Sequence, residues 1–173
     1  ANEIIQTIAS YQQASGIPLL IGVDEEGGTV VRVSSNPHIR TEKFRSPQAL
    51  YASGGMSAIL SDTSEKGLLL SALGINVNFA PVADVSTDAG DFIYDRSFGQ
   101  DGASTADYVS QVVSQMSADN MGSVLKHFPG YGDNLDTHTG IAVDSRDLET
   151  FQDRDFLPFQ SGIAAGDGKT AGL

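Results

Sequence analysis

Two of the three histidines in this 173-residue chain fall in one stretch, Lys126-His127-Phe128-Pro129-Gly130-Tyr131-Gly132-Asp133-Asn134-Leu135-Asp136-Thr137-His138. An imidazole titrates close to neutral pH and can both give and take a proton. Asp136 stands two positions before His138, near enough on an irregular loop for its carboxylate to hold the ring and favour the charged form. Taken by itself, the pair reads as an Asx turn beside a solvated histidine. Lys126 and His127 close the apolar run Met121 to Leu125, which has strand character. Pro129 and the two glycines preclude a regular helix after it, so the segment is a loop able to carry side chains toward a ligand.

A second group of charges follows another apolar run. Leu19 to Val23 predicts a strand buried on both faces, and Asp24-Glu25-Glu26-Gly27-Gly28 then forms a strand-end loop whose glycines allow close backbone approach. Arg32 lies eight positions after Asp24, and Arg96 sits in the long connection Asp91 to Asp101. Either arginine could instead be a surface charge or a partner for Asp24 or Asp95. Asp24, Glu25, His127, Asp133, Asp136 and His138 are of the right types for divalent-metal hydrolysis. Against that reading, no HxxxH or HxH spacing occurs and Lys126 brings a cation to the place. Gly130 and Gly132 lack the third glycine and the following amphipathic helix of a dinucleotide loop. His38, in a polar loop beside Pro37, has no functional argument behind it.

The elements that must position these residues alternate. Ile4, Ile5, Ile8 and Tyr11 recur at helical spacing behind Asn2 as cap, with Gly16 and Pro18 as the stop. Residues 34 to 55 look like surface connection, Pro47 opening a short helical turn. Asp62 with Glu65 has capping-box spacing before Leu68 to Leu73, and Gly74 closes that helix. Ile75 to Val85 gives the next strand and its exit. Ser104 with Asp107 opens a helix carrying Val109, Val112, Val113 and Met116 on one face. After Asp147 a helical segment is interrupted near Pro158, and residues 167–173 read as a flexible tail. Strands alternating with helices predict an α/β fold with a parallel sheet and crossover helices, in one domain over 1–173.

Composition narrows the partners. Ten Lys and Arg against 22 Asp and Glu give a formal charge of −12, which argues against nucleic acid or an anionic membrane surface. Absence of cysteine excludes disulfides, thiolate catalysis and cysteine-ligated metal, without fixing the compartment. No apolar run approaches the roughly 20 residues a membrane-spanning helix requires.

Four motifs in order resemble glycoside hydrolase family 3, in its branch of bacterial β-N-acetylglucosaminidases: Gly22 to Gly28 followed by Arg32, Asn78 to Asp84, Arg96 to Gly99, and Lys126 to Gly130 continuing through Asp136-Thr137-His138. The resemblance spans roughly residues 3 to 166. It implies part of a (β/α)8 TIM barrel with a sugar site at the strand C-terminal ends, the first strand and the C-terminal strands lying outside this chain. It implies that Asp24, Arg32, Arg96, Lys126 and His127 grip a terminal N-acetylglucosamine of a peptidoglycan- or chitin-derived glycan. It makes His138 the acid/base, oriented by Asp136, with a nucleophilic aspartate beyond the chain and no cofactor or metal. Tyr131 departs from the pattern by standing where the family often has histidine, a change expected to alter loop packing without touching the dyad. Three other readings stay open: a phosphorylase that passes the sugar to phosphate, an inactive sugar-binding segment dependent on self-association or a missing barrel segment, and a metal-dependent hydrolase.

Overall fold

The computed structural model describes residues 1–166 and 170–172. Four strands form one sheet in the order β1-β2-β3-β4: β1 Gly22–Val23, β2 Val77–Asn78, β3 Gly122–Val124 and β4 Thr170–Gly172. All pairings are parallel, with Gly22 opposite Val77 and Val77 opposite Gly122. Each crossover carries a helix: α2 Pro47–Ala72, α3 Gly102–Ala118, then a short α4 Leu148–Thr150 leading into α5 Phe156–Ala165; α1 Asn2–Ala14 precedes the sheet. Equal strand and chain order sends every strand C-terminus to one edge, so the loops after β1, β2 and β3 share that edge.

The core lies between the sheet and α2, α3 and α5. Val109, Val112, Val113 and Met116 point inward as their spacing predicts, against Leu70, Met121, Leu125 and Phe159. Full burial of each such side chain contributes roughly 1.5–3 kcal/mol. At Gly162 a Cβ would come within 2.7 Å of Leu125 Cδ1 and 2.8 Å of Val109 Cγ1, so α5 approaches this close only because that position has no side chain.

Several local expectations are corrected. The cap of α1 is Ala1, with no side-chain hydrogen bond, rather than Asn2. The helix predicted to start at Asp62 begins at Pro47, capped by Ser46 and kinked at Gly54 and Gly55. Asp62 is therefore interior and pairs with Lys66 at 3.1 Å, both nearly buried. Asp101, not Ser104, caps α3, accepting the Ser104 N–H at 2.8 Å. The interruption near Pro158 is a π turn, Phe151–Asp155, placed just ahead of it, where Pro158 cannot supply the N–H that would bond four residues back. The first strand is not buried on both faces: Leu20 is 76% exposed, and β2 is its one partner among the described residues. Thr170–Gly172 pair with β3, where a tail was expected; residues 167–169 and 173 of that expectation lie outside the described residues.

Candidate active site

Strand ends and buried carboxylates build the site together. After β1, Glu25 is fully buried and accepts the backbone N–H groups of Arg32 at 2.8 Å, Val33 at 2.7 Å and Ser34 at 3.1 Å, with the Ser34 hydroxyl as well. This fixes the return of the chain and places Arg32. Asn78, at the end of β2, accepts the Glu25 N–H and donates to the Glu25 carbonyl, both at 3.0 Å. At Gly27, φ is +110° and a Cβ would lie 2.2 Å from the Arg45 carbonyl oxygen, so glycine is required.

Glu26 is the centre of the charge network. Its carboxylate accepts from Arg96 Nε at 3.1 Å and Nη2 at 2.8 Å, and Lys126 Nζ lies 2.5 Å from Oε1. Lys126 also reaches Asp24 Oδ1 at 2.5 Å. The ammonium is thus shared between a buried carboxylate and a half-open one, and Asp24 is the member left accessible to a ligand. Burial works against the charge of Arg96 most strongly of any single influence, but its hydrogen bonds to Glu26 and the nearby charges of Glu26 and Asp84 together outweigh it, and its pKa stands above the ordinary value.

After β2, the fully buried Asp84 holds the next loop. Its Oδ2 accepts the His127 N–H at 3.0 Å and faces Nδ1 at 2.7 Å, while Oδ1 accepts the Tyr131 N–H at 2.8 Å. Arg96 Nη2 lies 3.0 Å from His127 Nε2. A guanidinium only donates, so Nε2 accepts and the ring hydrogen sits on Nδ1, directed at Asp84.

On the following loop, Asp136 Oδ1 accepts the His138 backbone N–H at 3.0 Å and faces Nδ1 at 2.6 Å. These bonds from His138, the backbone one first, hold the Asp136 carboxyl below its ordinary pKa. The His138 side chain is 80% exposed. It nevertheless lines the same cleft, of about 510 Å³, as Asp24, Arg32, Arg96, Lys126 and His127. Asp136 stands behind it. Of the residues singled out from sequence, Asp24, Arg32, Arg96, Lys126, His127 and His138 meet there, Asp136 and Glu25 touch one that does, and Asp133 lines a separate cavity; the two not foreseen are Glu26 and Asp84. Each follows a strand end by a few residues, which is the one signal they give. Arg96 pairs with Glu26 and not with Asp95, and among the described residues no carboxylate pairs with Arg32, whose Nη1 has the Val31 carbonyl at 3.4 Å. Among the described residues, no three of His, Asp and Glu are grouped to hold a metal ion; Glu25 is turned to the backbone.

The model of the glycosyl hydrolase family 3 N-terminal domain matches residues 1–170. A β-hexosaminidase of Xylella fastidiosa (strain M12) is 37% identical over 168 residues, covering 95% of this chain and 50% of the relative. Among solved structures, a glycoside hydrolase family 3 β-N-acetylglucosaminidase from Paenibacillus sp. str. FPU-7 superposes with TM-score 0.82 at 29% identity, covering 94% of this chain and 31% of that one. NagZ from Neisseria gonorrhoeae, in complex with N-trifluoroacetyl-D-glucosamine, does so with TM-score 0.80 at 28% identity, covering 99% and 50%. The chain spans about half the length of the curated relatives it matches. The parallel strands and crossover helices are part of the barrel those structures share.

Proposed function

The chain belongs to glycosyl hydrolase family 3, and from that premise we propose that it carries the sugar grip and the acid/base of a retaining exo-β-N-acetylglucosaminidase. The observation that carries this is one convergence. His138, bonded to Asp136, lines the cleft that Asp24, Arg32, Arg96, Lys126 and His127 build from two other loops and the start of its own. In this reading Asp24 accepts from hydroxyls of the terminal sugar, while Arg32, Arg96 and Lys126 donate to its oxygens. Glu26 and Asp84 keep the cations and the His127 ring in place.

With Nδ1 engaged by an ionised Asp136, Nε2 is the nitrogen available for proton transfer. As imidazolium, His138 protonates the departing glycosidic oxygen; once neutral, it takes a proton from the water that completes the second step. The retaining route also needs a carboxylate nucleophile. In this reading that carboxylate comes from a part of the protein outside these 173 residues. The acetamido sugar as substrate is supported by the activities named for the relatives; peptidoglycan- or chitin-derived glycans as its source are part of the proposal.

The test is His138→Ala in the protein that carries this chain, assayed on β-N-acetylglucosaminides with poor and with activated aryl leaving groups. Loss of acid catalysis should slow the poor leaving groups about a hundredfold or more and the activated ones far less. Equal losses on both would remove His138 from the role.

A further inference from the structure

The segment that carries His138 is held by polar bonds rather than by a core. No residue from 133 to 145 is buried, and Leu135, Ile141 and Val143 are 80%, 95% and 82% exposed. A cavity of about 290 Å³ lies between this segment and His127 to Tyr131. Tyr131, Thr137 and His127 line both that cavity and the sugar cleft, so the Tyr131–Thr137 contact is part of the wall between the two spaces. Tyr131 itself is anchored from behind. Its N–H goes to Asp84 Oδ1 at 2.8 Å, the carboxylate that also fixes His127, and its ring meets the His127 ring edge-on at 5.4 Å. Its hydroxyl oxygen accepts the Thr137 N–H at 3.1 Å and shares a hydrogen with Thr137 Oγ1 at 2.6 Å. Thr137 is the residue between the two members of the dyad.

We propose that Tyr131 is a positioning residue whose hydroxyl latches Thr137 and so sets where His138 and Asp136 stand relative to Arg96 and Lys126. The substitution expected from sequence to leave the dyad untouched is therefore the one that fixes it. Through Asp84, a single buried carboxylate registers both the grip and the acid/base loop. Other bonds hold the far end of the segment: Arg146 donates to Asp155 at 3.0 Å and to the Gly130 carbonyl at 2.8 Å. None of these reaches residues 136 to 138; Thr139 bonds the Asp136 carbonyl from within the segment, and the Tyr131 hydroxyl is the contact that ties Thr137 back to the loop beside His127.

This inference rests on the reading of His138 as acid/base, and the experiment separates the two. Tyr131→Phe keeps the ring, its edge contact with His127 and the backbone bond to Asp84, and removes only the hydroxyl. Amide exchange at Thr137 should accelerate in the variant. Turnover of poor leaving groups should fall about tenfold, the equivalent of one to two lost hydrogen bonds, with activated aryl substrates nearly unaffected. In a His138→Ala background the same change should cost nothing further. Thr137→Ser should retain most of the rate and Thr137→Val should lose it. Unchanged exchange at Thr137 overturns the latch, and so does an equal loss on both substrate classes while His138→Ala separates them. If His138→Ala itself fails to separate the classes, the acid/base reading falls, and exchange at Thr137 alone decides whether Tyr131 holds the loop.

Discussion

Removing the Glu26 carboxylate would strand Arg96 and leave Lys126 with the half-open Asp24 alone: the Arg96 and Lys126 side chains are 14% and 13% exposed, and Glu26 itself is 3% exposed. Breaking a buried pair from one side is costly because the remaining charge is uncompensated, so Glu26→Ala should lower stability by about 3 kcal/mol or more. Asp24 is 36% exposed and meets the same ammonium, and Asp24→Asn should cost at most about 1 kcal/mol while weakening sugar binding. Urea denaturation of both variants checks the contrast; equal losses would mean that Glu26 is not the structural partner. The contrast also shows what was legible. The family resemblance marks Asp24, Arg32, Arg96, Lys126, His127 and His138 as the residues to watch, and Glu26 and Asp84 stand in the same motifs without a role. Glu26 and Asp84 look like any loop acid until burial is known, because a carboxylate that serves cations and backbone N–H groups leaves no spacing of its own.

The loop from Tyr131 to Arg146 is an element without secondary structure, and its acid behaviour follows from its carboxylates. Arg146 hydrogen bonds hold the Asp144 carboxyl well below the ordinary range, and the His138 hydrogen bonds lower that of Asp136. A depressed folded-state pKa stabilises above the unfolded value, near 3.9 for aspartate, and that contribution is lost as pH falls through the folded value. Loop order should therefore be complete above about pH 4 and should decline only on further acidification. Amide exchange at Arg146, whose N–H bonds Asp144 at 3.0 Å, gives the readout; loosening between pH 5 and 7 would contradict this account. At this scale apolar spacing made the helices legible where they pack on the core, and Gly74 closes α2 at φ +88° as expected, but the starts of α2 and α3 were not legible. Asp62 and Ser104 have the right types at the right spacing, yet tertiary context places the helix starts elsewhere: Ser46 and Asp101 were available earlier, and the kink at Gly54 and Gly55 lets one helix turn into the next.

At the scale of the molecule, the parallel order of the sheet was legible in the alternation of strands and helices, while the exposure of its first strand was not. Period and apolarity report that Leu19 to Val23 is a strand; they carry no information about what covers it. Ile17 at 74% and Leu20 at 76% exposure mark an apolar edge that calls for a covering surface, whether from the rest of the protein or from a second copy.

The ion pairs of the cleft join residues far apart in the chain: Lys126 and Asp24 are separated by 102 positions and Arg96 and Glu26 by 70. A ligand that bridges these groups can be held only by a chain whose three strands have already come into register, since the unfolded polymer scatters them. Saccharide affinity and conformational stability are then linked through one equilibrium, the gain growing as RT ln(1 + [L]/Kd). Titrating N-acetylglucosamine should raise the melting temperature in step with its concentration, and the size of the rise would measure affinity without a single turnover. A melting temperature indifferent to the sugar, at concentrations where binding is seen by another method, would mean that the monosaccharide sits elsewhere.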